Sequence, residues 1–252
     1  MRILIACDKF KGSLSAQEAC EALRDGLASV DPSSDLIVCP VADGGEGFAE
    51  AMVLARGGRW HCCESLDALG NPVNVRYGMV SNEEGGEEAI IEMAEASGLH
   101  RIPTGSRDVL RSSSLGTGFM IRNAVQQGAR RILLGIGGSA TNDGGVGMLA
   151  GLGVKFLDDR GRELEPLPTS LKSLGEVDTT GMMEIPLIEV ACDVKNPLLG
   201  TNGATMVYGP QKGAAGEDLQ ILEEGLTRLV EVTGLEVLAE RPGAGAAGGL
   251  GF

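Results

Sequence analysis

The sequence predicts an α/β protein organised on parallel strands, and three observations carry that prediction. Short apolar runs alternate with amphipathic helical patterns from the first residues onward. Several of those runs end in loops of glycine mixed with acidic and amide residues. Glycine supplies 39 of 252 residues, about twice the ~7% average, while aromatics are only 3%. A strand feeding a glycine loop with a helix behind it offers main-chain N–H groups and a helix N-terminus to a ligand.

Arg2–Cys7 is an apolar run of strand length that ends at Asp8-Lys9-Phe10-Lys11-Gly12-Ser13. Ser15 with Glu18 three residues later forms a capping-box pattern, and Ala19, Leu23, Leu27 and Val30 supply the apolar stripe of the helix it opens. Asp35–Pro40 is a second strand, followed by Asp43-Gly44-Gly45-Glu46-Gly47 and a helix over Phe48–Ala55. This β-α-β-α start implies parallel strands with right-handed crossovers, so both polar clusters fall on one sheet edge, where open α/β folds bind ligands.

Beyond Gly58, Trp60–Leu66 and Val73–Val80 read as strands, and Glu83, Glu84, Glu87 and Glu88 as a solvated tip. Ala89–Ala94 starts as a strand and turns helical by Glu92–Ser97. A helix over Thr117–Gln127 feeds the buried strand Ile132–Leu134 and then Gly135–Gly151, the stretch around which the chain is organised. Val154–Leu157 and Leu187–Asp193 are further strands, Ala204–Tyr208 is a short one, and Asp218–Val232 is the clearest amphipathic helix. The region 172–183 has no pattern that selects one element. The chain closes on a glycine-rich segment, Gly243–Phe252, that resembles the start of another helix.

Composition narrows the function. No apolar run approaches the ~18 residues of a membrane span, and no secretory leader pattern follows Met1. The net charge of −14 argues against nucleic acid and anionic membrane as partners. It also means that an anionic ligand needs local cations. The six cysteines show no C-x-x-C spacing and read as reduced thiols of a cytoplasmic protein, those in strand patterns as buried apolar residues. His61 and His100 read as structural. Gly135-Ile136-Gly137-Gly138-Ser139-Ala140, with Asp158 some distance on, matches a dinucleotide fingerprint and keeps an NAD-dependent oxidoreductase as an alternative.

Five clusters combine glycine with an acid, a lysine or an amide at the end of a strand pattern: 8–13, 43–47, 137–145, 193–200 and 211–213. Phosphoryl transfer uses this mixture, because it depends on positioning and on neutralising phosphate oxygens. Lys9, Lys11, Lys195 and Lys212 are candidate phosphate and carboxylate clamps. Asp43, Glu46, Asp143 and Asp193 are candidates for holding Mg²⁺ or for taking a proton from a hydroxyl.

Six motifs then occur in order: Asp8-x-Phe10-Lys11-Gly12-Ser13, Ala42–Gly47, Gly137-Gly138-Ser139-Ala140-Thr141-Asn142-Asp143, Cys192-Asp193-Val194-x-Asn196-Pro197-Leu198, Pro210–Ala214 and Gly245–Gly249. Together they resemble the type 1 glycerate kinase family along the whole chain. The resemblance implies a transferase that moves phosphate from ATP, with Mg²⁺, to D-glycerate. The product is 2-phosphoglycerate in the well-known cases and 3-phosphoglycerate in some. The expected catalytic residues are Asp43, Asp193, Lys11 and Lys212. Gly44, Gly45, Gly137, Gly138, Ser139, Thr141, Asn142, Asn196, Gln211 and Gly248 are expected to bind substrate or phosphate.

The implied fold is a flavodoxin-like parallel-sheet domain, represented by its first two strands (residues 1–57). A second, larger α/β domain is inserted over 58–240, and 241–252 lead back toward the first. Two departures stand out. Lys9 occupies a position where the family usually has serine, and a later family motif of the type Gly-Glu-Gly-x-x-Asp-x-Gln-Thr is absent. The chain is therefore expected to be C-terminally incomplete, with very low turnover. The alternative is a fragment that binds an organic acid or phosphate without catalysis.

Overall fold

The structure, a computed structural model, describes residues 1–10, 13–81 and 85–252. Lys11 and Gly12, and Glu83 and Glu84 of the expected acidic tip, lie outside the described residues.

β1 (Arg2–Ile5) and β2 (Asp35–Val38) pair in parallel as a two-stranded sheet, joined through α1 (Ala16–Val30). The capping box forms: the Ser15 hydroxyl accepts from the Glu18 N–H at 3.2 Å, and the Glu18 carboxylate accepts from the Ser15 N–H at 2.8 Å. The expected apolar stripe is only partly used. Ala16, Ala19 and Cys20 are buried, whereas Leu23, Leu27 and Val30 stay exposed, because two short strands are too narrow a sheet to cover fifteen residues of helix. Leu4 and Ile37 on the strands are exposed as well.

The main sheet has the order β3 (Arg59–Leu66), β4 (Pro72–Ser81), β5 (Glu87–Glu92), β6 (Ala129–Gly135) and β9 (Leu187–Ala191). Its first three strands are antiparallel and its last three parallel. Alternation along the strands fills both faces. On one side Tyr77, Met79, Ala89, Ile91, Ile132 and Leu134 pack with Met120, Ile121 and Ala124 of α4 (Leu115–Gln126). On the other, Val80, Ile90 and Leu133 meet Phe48, Ala49 and Met52 of α2 (Phe48–Arg56). Gly78 permits this approach, since a Cβ there would come within 2.0 Å of Val53 Cγ2.

α2, on the N-terminal side of the expected boundary after residue 57, is thus a layer of the larger sheet and packs with it. Glu88 strengthens that attachment. It is buried at the start of β5 and ion-paired with Arg56 of α2, and Arg131 approaches it at 3.3 Å. Glu87 pairs with Arg59, so neither residue belongs to a free solvated tip.

α3 (Ala94–Ser97) follows β5, and α5 (Val146–Gly151) crosses α4 where Gly118 and Gly151 face each other. A second core lies around α7 (Glu217–Thr233), the hairpin β7 (Lys155–Asp158) with β8 (Leu174–Asp178), and α8 (Glu236–Ala239). The patternless 172–183 region thus contains β8, preceded by a 3₁₀ turn over Pro168–Ser173.

Four further expectations are corrected. Ala204–Tyr208 is α6, a helix: Gly209 N–H closes on the Thr205 carbonyl at 2.8 Å, and Ala204 and Thr205 are buried. Its β-branched and aromatic residues favour a strand, but tertiary packing overrides so short a run. The dinucleotide reading fails because α5 has six residues and is separated from β6 by ten, while β7, ending at Asp158, pairs antiparallel with β8 outside the main sheet. Residues 241–252 form 3₁₀ and turn structure where the start of a helix was expected, with Ala244, Ala246 and Leu250 buried in the two large cores. All six cysteines are free, but Cys20 alone is buried, while Cys39, Cys62 and Cys192 are exposed.

The poor cover of the first sheet has a measurable consequence. We propose that residues 1–47 form the less stable unit, because local stability follows buried apolar contact. Amide hydrogen exchange in β1 is expected to be faster than in Ile132–Leu134 of β6. Equal protection of the two strands would refute the division.

Candidate active site

Glycines bring the distant motifs into contact. A Cβ on Gly135 would meet the Gly44 carbonyl at 2.6 Å, and one on Gly137 would lie 2.6 Å from Gly45 Cα. The Gly137 N–H donates to the Gly44 carbonyl at 3.0 Å. Gly44, at φ +88°, also sits so close to the end of β9 that a Cβ would fall 2.5 Å from the Ala191 carbonyl. The loops after β2, β6 and β9 therefore meet at one place. They enclose a pocket of about 400 Å³ with Lys9, Asp43, Gly45, Glu46, Gly137, Gly138, Ser139, Asp193, Gln211 and Lys212 in its wall. Lys212 arrives on a 3₁₀ turn over Pro210–Lys212 that follows α6, so this cluster stands behind a helix and not behind a strand.

Lys212 is buried, with its Nζ donating to the Thr141 carbonyl at 2.6 Å and to Ser139 Oγ at 3.0 Å. Desolvation lowers its pKa to about 7, against the nearby carboxylate of Asp143, which favours the ammonium. Elsewhere in the wall Lys9 Nζ lies 3.5 Å from both Asp8 and Asp43. Partial burial of Asp43 works to raise its pKa, but the Gly45 N–H at 3.0 Å and the Lys9 ammonium outweigh it and hold the carboxyl below its usual range. Asp43 is thus a carboxylate at neutral pH. Asp193 is exposed in the pocket wall beyond β9.

Several expected site residues lie elsewhere. Asp143, a metal candidate by sequence, is fully buried. Its Oδ2 accepts from the Ser114 N–H (2.7 Å), the Ser114 hydroxyl (2.8 Å) and the Gly147 N–H (3.2 Å), and its Oδ1 from the Gly145 N–H (3.1 Å). Burial raises its pKa against those four bonds, and it organises the loop instead of facing a ligand. Thr141 and Asn142 are buried too, the Asn142 amide donating to Thr205 Oγ1 at 3.1 Å. Asn196 is spent on structure: its amide donates to the Asn202 carbonyl and its Oδ1 accepts from the Tyr208 hydroxyl at 2.7 Å, which orients Tyr208 in the pocket wall. Gly248, at φ +70°, is a close-approach position, where a Cβ would be 2.0 Å from the Thr141 carbonyl. Lys195 is exposed and outside the pocket.

Two residues that line or support the site were not singled out from sequence. Glu92, at the end of β5, accepts from the Gly47 and Ala49 N–H groups at 3.0 Å each and so caps α2 and holds the 43–47 loop. Burial pushes its pKa up to about 7 despite those bonds. A lone glutamate inside the apolar run Ala89–Met93 was the available signal. The other is Ala247 in the pocket wall, at φ 53°, the one non-glycine residue with positive φ among those described. The left-handed conformation costs such a residue ~1–2 kcal/mol. Ala247→Gly is expected to raise stability by about 1 kcal/mol, net of glycine's greater chain entropy, and a thermal melt no higher than wild type would show that no strain is held there.

Among the described residues no group of three His, Cys, Asp or Glu side chains is arranged to hold a metal. Mg²⁺ is commonly held by one or two carboxylates together with water and phosphate oxygens, and the carboxylates in the pocket wall are Asp43, Glu46 and Asp193. No helix among the described residues is long and apolar enough to cross a membrane.

Comparison with known proteins supplies the context. The sequence profile described as "Glycerate kinase family" matches residues 3–252. The chain is 45% identical to a protein named glycerate kinase from Bacillus subtilis (strain 168) and 44% identical to one named glycerate 2-kinase from Escherichia coli (strain K12). In both cases the match covers 100% of this chain and 67% of the relative. The crystal structure of a putative glycerate kinase 2 from Salmonella typhimurium LT2 superposes with a TM-score of 0.87 at 44% identity, covering 100% of this chain and 68% of that one. With a match along its length and the α/β fold in common, the chain belongs to the glycerate kinase family.

Proposed function

We propose that this pocket transfers phosphate from ATP to a hydroxyl of D-glycerate, yielding 2-phosphoglycerate or 3-phosphoglycerate. The observation that carries the reading is the convergence of Lys9, Asp43, Asp193 and Lys212 with the Gly137-Gly138-Ser139 backbone around one 400 Å³ space. In a chain of net charge −14, Lys9 and Lys212 are the cations that this wall offers to phosphate and carboxylate oxygens, beside the carboxylates of Asp43, Glu46 and Asp193. Lys212 and the loop N–H groups bind phosphate oxygens, and a phosphate beside Lys212 stabilises its ammonium form. Asp43 and Asp193 would hold Mg²⁺, which supplies charge neutralisation at the phosphates. One of these two carboxylates accepts the proton of the attacking hydroxyl. Gln211 and Tyr208 line the same wall and orient the acid. The reading places the protein in the cytoplasm, where ATP and reduced thiols are found.

The test is a coupled ADP-release assay with ATP, Mg²⁺ and D-glycerate, on this chain and on a form extended to the relatives' length. Release that requires glycerate is expected, strongest in the longer form. Neutralising Lys11 or Lys212 should cost far more activity than neutralising Lys172, which pairs with Glu224 on the surface at 2.6 Å. Glycerate-independent release in both forms, or equal small effects of all three lysines, would overturn the assignment.

A further inference from the structure

Ser139 and Lys212 come from separate motifs and meet in the pocket wall with Oγ and Nζ 3.0 Å apart. Ser139 is 7% exposed and Lys212 3%, so neither side chain is free to leave the contact for water. The other Nζ partner is a neutral acceptor, the Thr141 carbonyl. No carboxylate makes an ion pair with this nitrogen among the described residues, whereas the less buried Lys9 and Arg56 are both paired with carboxylates. The charged groups around the pair are Asp143, whose carboxylate favours the Lys212 ammonium, Asp193 beyond β9, and Lys9, Asp43 and Glu46 in the wall of the same pocket. Beside the hydroxyl, neither the Gly138 N–H nor the Ser139 N–H donates to another group among the described residues. Both residues line the pocket.

A serine in hydrogen-bond reach of a desolvated lysine, with spare backbone donors next to it, has the parts of an activated nucleophile. We propose that Ser139 and Lys212 form a general-base-activated serine that gives this pocket a second activity, the hydrolysis of small carboxylic esters through an acyl-Ser139.

In the first half-reaction neutral Lys212 takes the Oγ proton as the Oγ–C bond forms at the ester carbonyl. The Gly138 and Ser139 N–H groups receive the negative oxygen. The intermediate collapses by breaking the ester C–O bond, and the Lys212 ammonium returns its proton to the leaving alkoxide or phenoxide. Water then attacks the acyl carbonyl as neutral Lys212 takes its proton; the acyl C–Oγ bond breaks, the Lys212 ammonium returns that proton to Oγ, and the carboxylic acid leaves with Ser139 and Lys212 restored. The lowered lysine pKa, about 7, supplies the neutral amine in the absence of bound anion. A bound phosphate restores the ammonium, so occupancy separates this activity from phosphoryl transfer.

The experiment uses p-nitrophenyl acetate with the chain as it stands. A burst of one p-nitrophenolate per chain is expected, with one hydroxylamine-labile acetyl group mapped to Ser139 by peptide mass spectrometry. Ser139→Ala should abolish the adduct. Lys212→Arg, which keeps the positive charge but cannot serve as the base, should slow acylation by about 10²-fold or more. Acetyl found instead on Lys212 or on the pocket thiol Cys192, no acylation above buffer, or an undiminished rate in Lys212→Arg would each overturn the proposal. Should that variant fail to fold, the adduct map of the wild-type chain decides by itself.

Discussion

Asp143→Ala is expected to lower stability by about 3–5 kcal/mol. The substitution strips the acceptor from three backbone N–H groups and a hydroxyl in a fully buried place, at ~1–3 kcal/mol for each donor left unmade, with some relief by relaxation. It also removes the carboxylate that favours the Lys212 ammonium. Since whole domains are stable by ~5–15 kcal/mol, such a loss is a large fraction of the total. Urea unfolding checks it, and a loss below about 1 kcal/mol would mean that the loop is held by other contacts. Asp143→Asn keeps an acceptor at one oxygen and should fall between.

The same cluster sets a pH dependence. Lys212 has a pKa of about 7 in the folded chain against 10.5 for an ordinary lysine. Between those values the unfolded chain binds the extra proton, so this residue makes stability rise with pH from about 7 toward 10.5. Lys212→Met should flatten that rise.

Asp43→Asn and Asp193→Asn are expected to lose turnover by about 10²–10³-fold in an active form, while circular dichroism remains that of the wild type. Removing a charge used in the transition state lowers kcat and kcat/KM together, and loss of one well-placed electrostatic group is worth ~3–4 kcal/mol. Asp43 is the firmer case, because Gly45 and Lys9 keep it ionised where the phosphates would lie. Near-wild-type turnover in either variant removes that residue from the mechanism.

Chemistry was legible in the sequence wherever it is local. The capping box at Ser15, the strand before Gly135, the amphipathic α7 and the six ordered motifs are patterns over a few residues, set by backbone propensity and side-chain periodicity. They sufficed for the α/β class and the family. Which members of a motif face the ligand was not legible. Ser139 and Asp143 stand four residues apart in one glycine loop, yet the first lines the pocket and the second is enclosed by Ser114, Gly145 and Gly147.

Only the tertiary structure decided that difference, because burial depends on partners far away in the chain. It likewise assigned α2 to the larger sheet through Phe48 and Val53, made a helix of Ala204–Tyr208, and put the closing glycines against the β6 loop. Glu92 shows the reason most directly. Its carboxylate caps a helix 43 residues earlier in the chain, a contact that no local spacing encodes and that desolvation turns into a shifted pKa.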